Sequence, residues 1–262
     1  MSFGVAIVLL GGVQAAIVAL PGAGWPLIGW RPRGRAWAFV APASIVVVVA
    51  AIAWVPDVAQ ALTWVAFVAV PLLAAAALGW AIRGARPAWA VAAAVLFIVA
   101  WVQQGSLIGD GAALVLTALS CVTLGRLIAA LAPTVLIKAG LIVTAIVDTT
   151  LIVSQQLQGP NAVLNAAAPG PHLPQLQLAA LGPAQMGYGD LFVAGLLGAA
   201  LAAEGRRTGA AALVTFVFAS AIDLLFLVTD ELPATVPVAA ALVTVELWAL
   251  RRRRQRASAA RA

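Results

Sequence analysis

Two acids in this chain, Asp148 and Asp190, stand where solvation at an interface does not account for them. Asp148 lies inside the apolar stretch 143–153, beside Thr149 and Thr150, with no basic residue within two helical turns. Asp190 closes the run Met186-Gly187-Tyr188-Gly189-Asp190 at the head of the next apolar segment. A pair of carboxyl groups can activate water. One, ionised, takes a proton from the water, while the other, kept protonated by its neighbour's charge, polarises a scissile carbonyl. Gly187 and Gly189 suit such a site, because glycine lets a substrate backbone lie close and adopts unusual φ/ψ. Plainer readings stay open. Acids inside a membrane also make helix–helix hydrogen bonds or mark ion pathways, and small residues pack helices throughout membranes.

The other reactive side chains offer less. His172 is the sole histidine, which excludes a multi-histidine metal site, and nothing calls for a cofactor. Cys121, in an apolar run, reads as packing, and Ser154 and Ser220 have no histidine base at hand. Glu204 sits beside Arg206 and Arg207, and Glu246 lies about one turn before Arg251–Arg254, so both read as interfacial ion pairs. Asp223 is an interfacial acid near Asp230, a group tuning the pair, or a sign of ion transport.

These residues need elements to hold them, and composition says which kind. Of 262 residues, 64% are hydrophobic and 9% charged, far from the balance of a water-soluble globule. Nine apolar segments, 3–20, 36–55, 58–82, 88–103, 111–131, 134–157, 185–203, 208–229 and 233–250, predict nine transmembrane helices in an all-α, polytopic membrane protein. Asp148 then stands about nine residues, roughly 13 Å, from the end of its span. Many tryptophans (Trp37, Trp54, Trp80, Trp89, Trp101 and Trp248) fall near span ends, as an interfacial belt does. The chain reads as one membrane domain, 1–262, with a five-helix part over 1–133 and a four-helix part over 134–262 that carries the loop 158–184.

The net charge is +6, and it encodes topology rather than an affinity for nucleic acid. All Lys and Arg fall in or beside the odd-numbered connections and the tail: Arg31, Arg33 and Arg35, then Arg83 and Arg86, Arg126 and Lys138, Arg206 and Arg207, and finally Arg251–Arg254, Arg256 and Arg261. Asp57, Asp110, His172, Asp230 and Glu231 occupy the others. Basic residues favour the cytoplasmic side, which puts the N-terminus outside and the C-terminus in the cytoplasm. Fourteen arginines against one lysine, with abundant Ala and Val, point to a GC-rich genome and a bacterial plasma membrane. The outer loop 158–184 is polar and rich in Pro and Gln; Gly159-Pro160 starts a short helix to Ala168, and the rest is irregular. A loop of this length is either functional or a plain linker.

Gly187-Tyr188-Gly189-Asp190, with Asp148 one span upstream among nine spans, resembles the GxGD intramembrane aspartyl proteases, the presenilin and signal peptide peptidase group. The resemblance implies a presenilin-like fold, Asp148 and Asp190 as the catalytic pair, and Gly187, Tyr188 and Gly189 beside the substrate. Leu232-Pro233-Ala234-Thr235 is similar to the family's Pro-Ala-Leu motif, with Thr235 in place of the leucine, and implies Leu232, Pro233 and Ala234 as further substrate-binding residues. Val147 stands where the family usually has tyrosine. Transmembrane helices or remnant signal peptides are the implied substrates. Two alternatives remain: a prepilin-peptidase-like aspartyl protease, a family that shares GxGD but places its aspartates on non-consecutive spans, and a non-enzymatic proton-coupled transporter or scaffold.

Overall fold

The computed structural model describes residues 1–22, 34, 36, 39–55, 57–227, 229 and 232–259. Arg31, Arg33, Arg35, Trp37, Asp230, Glu231 and Arg261, used above to read topology and interfaces, lie outside the described residues. The fold is all-α apart from one small hairpin. Its helices are α1 (Phe3–Ala19), α2 (Val40–Trp54), α3 (Asp57–Ala76), α4 (Val91–Val102), α5 (Leu107–Leu131), α6 (Thr134–Val153), α7 (Gln158–Ala166), α8 (Tyr188–Ala203), α9 (Thr208–Asp223) and α10 (Val236–Ala259). α3 continues as a π-helical turn over Ala77–Ala81, and α9 as a 3₁₀ turn over Leu224–Leu227. Four stretches are long and apolar enough to cross a membrane: Asp57–Ala81, Leu107–Leu131, Thr134–Val153 and Thr208–Phe226. The outward faces are apolar too. Leu72, Leu213 and Ile98 are 67%, 65% and 57% exposed, a surface compatible with an integral membrane protein and ill suited to water.

α8 is the centre of the bundle, with residues Leu191–Ala202 all buried. It packs against α5, α1 and α6. Close packing here depends on glycine. A Cβ on Gly195 would fall 2.4 Å from the Cys121 carbonyl oxygen of α5, and one on Gly198 would fall 2.4 Å from the Val18 carbonyl oxygen of α1. Without side chains at these points the backbones touch, and dispersion contacts replace the hydrophobic drive that is absent between helices in lipid. One core cluster therefore runs through both the 1–133 and the 134–262 parts.

Polar links tie the two ends of the bundle. At one end Arg83 donates to the Thr208 hydroxyl (2.7 Å) and Thr208 to the Ala19 carbonyl (3.1 Å), joining the ends of α1 and α3 to the start of α9. Nearby, Lys138 of α6 contacts Glu204 (2.6 Å) and Glu246 (2.8 Å), and Arg206 bridges the same two acids. Glu246 thus pairs with Lys138 and Arg206 on neighbouring elements, where the sequence reading gave it the tail arginines. Its side chain lies on the face of α10 turned to the bundle, and Arg251–Arg254 are exposed beyond it.

The opposite end carries a hairpin, β1 (Leu178–Leu181) and β2 (Ala184–Gly187), antiparallel with Leu181 opposite Ala184 and Leu178 opposite Gly187. Gly182 turns it with φ +59, and Pro183 follows with its fixed negative φ, the sign pattern of a type II′ turn. The Asp110 carboxylate accepts the Gly182 N–H at 3.1 Å and pins the turn to α5. The 158–184 segment is therefore α7, a bound coil and most of a hairpin. Residues 185–187, assigned to a span in the sequence reading, are strand. Glutamine side chains strap the coil down. Gln60 donates to the Ala168 carbonyl (2.7 Å), Gln104 to Leu173 (2.8 Å) and Gln177 to Ala167 (2.9 Å).

Candidate functional site

β2 delivers the chain directly into α8, and this junction builds one half of the site. Gly187 is the N-cap, with extended backbone (φ −64, ψ 149). The Asp190 carboxylate, three residues on, turns back and accepts the Gly187 N–H at 3.1 Å. This pairing satisfies one of the four free donors at a helix N-terminus and places a carboxylate at its positive end. A Cβ on residue 187 would come within 3.1 Å of the Asp190 carboxylate oxygen, so glycine lets the turned-back side chain sit there without adjustment. Gly189 faces open space, with nothing within 4 Å of an added Cβ. Tyr188 points into the bundle: its hydroxyl pairs with Ser120 of α5 at 2.8 Å and anchors the start of α8.

α6 supplies the other half. It ends earlier than the apolar run implies, because Gln155 adopts a left-handed conformation (φ 57). The Gln156 N–H then returns to the Leu151 carbonyl and the Gln155 N–H to Ile152, a Schellman stop made with glutamine where glycine is usual. Asp148 consequently stands five residues from the helix end, roughly 8 Å at 1.5 Å per residue, rather than 13 Å. It is 7% exposed. Its Oδ2 accepts the Thr235 hydroxyl at 2.6 Å. α6 packs against α8, so the two acids stand on neighbouring helices.

The Leu232–Thr235 segment, ahead of α10, completes the constellation. Leu232, Pro233 and Ala234 are half-buried and Thr235 is fully buried. Gln14 of α1, 1% exposed, donates to the Ala234 carbonyl (2.7 Å) and to the Asp190 carbonyl (3.3 Å). An apolar groove of about 580 Å³ opens sideways between α6 and α10, lined in part by Ala145, Thr149, Val153 and Val236, close in sequence to Asp148 and Thr235.

Asp148, Asp190, Gly187, Gly189 and the Leu232–Ala234 segment are thus brought together, whereas Tyr188 serves the packing of α8. Asp223 adds no hydrogen bond to this constellation among the described residues. An added Cβ at Gly11 of α1 would lie 3.6 Å from its Oδ2, and this oxygen has no hydrogen-bond partner among the described residues. The Asp148 carboxylate is bonded to Thr235, and no hydrogen bond joins it to Asp223 among the described residues. Sequence reasoning missed Gln14 and the contact of Thr235. The signal for Gln14 was present, since it is the one strongly polar side chain of α1. Among the described residues no cluster of three or more His, Cys, Asp or Glu could hold a metal ion. In comparisons with protein-family models, curated proteins and solved structures, nothing matches this chain.

Proposed function

We propose that this protein is an intramembrane aspartyl protease that spans the bilayer nine times and hydrolyses peptide bonds of transmembrane segments or remnant signal peptides. The supporting observation is that Asp148 and Asp190 stand on packed neighbouring helices and are both tied to the segment ahead of α10, Asp148 by the Thr235 hydroxyl and Asp190 through Gln14 and Ala234. In this reading one carboxylate removes a proton from water while the other donates its proton toward the scissile carbonyl oxygen. The water oxygen bonds to the carbonyl carbon and gives a tetrahedral diol. Proton transfer to the amide nitrogen then lets the C–N bond break, leaving a carboxyl and an amine, and the pair regains its single shared proton. No metal or cofactor enters.

The substrate must be unwound at the cut, since a helix hides its carbonyls in its own ladder. The edge of β2 supports strand addition. In the hairpin register Gln185 is a non-hydrogen-bonded position, so its N–H and C=O face away from β1. Open space at Gly189 and the groove beside α6 give an extended segment room near both acids. With the C-terminus cytoplasmic, water reaches the pair from the outer side. The prepilin-peptidase-like alternative is less well supported, because only the short α7 and the hairpin lie between α6 and α8.

The test is cleavage of single-span substrates co-reconstituted in liposomes with wild type, Asp148→Asn or Asp190→Asn. Loss of cleavage in both variants is expected. Unchanged cleavage in either would end the mechanism.

A further inference from the structure

α1 carries one buried amide in an otherwise apolar helix, and neither of its recorded hydrogen bonds is local. Gln14 is 1% exposed, and its Nε2 divides its donors between the Asp190 carbonyl on α8 and the Ala234 carbonyl ahead of α10. Ala234 has reason to accept. Three residues on, where a tightening turn would supply an N–H, stands Pro237, which has none. The next residue, Thr235, holds Asp148. The amide is therefore the middle of a chain of contacts that starts on the backbone of one acid and ends on the carboxylate of the other.

We propose that Gln14 is a positioning residue that sets the separation of the Asp148 and Asp190 carboxylates by fastening the Leu232–Thr235 segment to the first turn of α8. It touches neither substrate nor the reacting atoms. The role rests on the protease reading, but the bridge itself is measurable without it. A burial argument supports more than space filling. An amide in an apolar site costs free energy unless bonded, and a side chain wanted only for volume would be Leu or Met. The two carbonyls belong to segments far apart in sequence, and the amide is the side chain that bonds both.

The test uses the full-length protein with Gln14→Met, which keeps length and packing but has no donor, and Gln14→Glu, which keeps size and sets a carboxylate against two carbonyls. Folding is checked by thermal unfolding in detergent, and cleavage is expressed per folded molecule. The expected result for Gln14→Met is a fall in kcat of about 10- to 100-fold with KM within about twofold, the scale of a misplaced catalytic group. The two limbs of the pH–rate bell should also draw together, because the apparent pKa values of an acid pair split in proportion to their repulsion. Gln14→Glu should lose more. A third readout is independent of activity. With nitroxides on Gln185→Cys and Leu232→Cys in a Cys121→Ser background, Gln14→Met should broaden the distance distribution. Wild-type kcat and an unmoved bell in Gln14→Met, or an unbroadened distribution, would overturn the proposal. If Asp148→Asn and Asp190→Asn cleave like wild type, the protease reading fails, and the nitroxide distances alone decide the bridge.

Discussion

Replacing Thr235 by valine removes one hydroxyl and little volume, which makes it the sharpest probe of the site. The hydroxyl lies 2.6 Å from Asp148 Oδ2, with Thr235 fully buried and Asp148 at 7% exposure, so water cannot readily replace it. A hydrogen bond to a charged partner is worth about 1.5–3 kcal/mol, and each 1.36 kcal/mol is tenfold in rate. Were all of it expressed in the transition state, Thr235→Val would lower kcat by about 10- to 150-fold, and Thr235→Ser would retain most of the activity. Thr235→Leu restores the leucine of the motif this segment resembles. Here it should do worse than valine, because it adds bulk at a fully buried position, at about 1–3 kcal/mol of strain, and it also lacks the donor. The assay is single-span substrate cleavage in liposomes, with melting in detergent to normalise for folding. Valine cleaving within about twofold of wild type, or leucine exceeding threonine, would refute the reasoning.

Gly198→Ala places a methyl 2.4 Å from the Val18 carbonyl oxygen and should lower stability by several kcal/mol, whereas Gly189→Ala meets nothing within 4 Å and should leave the melting temperature unchanged while weakening cleavage if substrate lies there. Lys138→Met should destabilise by about 1–2 kcal/mol, above an exposed ion pair, because it leaves Glu204 and Glu246 facing each other across Arg206 alone; denaturation of Arg251→Met, at an exposed position, gives the comparison and should change little. Asp223→Asn should cleave within about twofold of wild type, since the buried Oδ2 of Asp223 has no hydrogen-bond partner among the described residues, and a loss matching that of Asp190→Asn would place it in the mechanism.

Much of the site was legible because charge is so scarce. In a chain with 9% charged residues an acid in an apolar run is conspicuous, and Asp148 and Asp190 stood out on that ground alone. α7 was legible from Gly159-Pro160, and its helix runs Gln158–Ala166. The hairpin was not. Its strands read LAAL and AQMG, without β-branched residues or clean alternation, and only Gly182-Pro183 hinted at a turn. The early end of α6 was hidden because glutamine occupies a position where glycine is the usual signal. Thr235 read as a defective match to a motif, yet its hydroxyl gives Asp148 a donor that leucine could not. Glu246 shows the limit of sequence distance. Its nearest arginines along α10 are not its partners, because partner choice follows the face a helix turns inward.

One physical rule accounts for where these polar groups sit. Between apolar helices in lipid there is no hydrophobic gain on association, so contact depends on close packing and on the few polar groups that find partners. Here those groups reach from one element to the next. Thr123 of α5 bonds the Leu73 carbonyl of α3, Thr208 of α9 the Ala19 carbonyl of α1, and Gln14 of α1 the carbonyls of Asp190 and Ala234. Glycines hold α5 and α1 against α8 at fixed distance, and the polar links then set rotation and register. Two such links, through Gln14 and Thr235, run from the segment ahead of α10, one to the Asp190 carbonyl of α8 and one to the Asp148 carboxylate of α6. Two acids held that way have few ways to move apart. In the proposed protease that restraint would counter the repulsion between them, the condition a shared-proton pair requires.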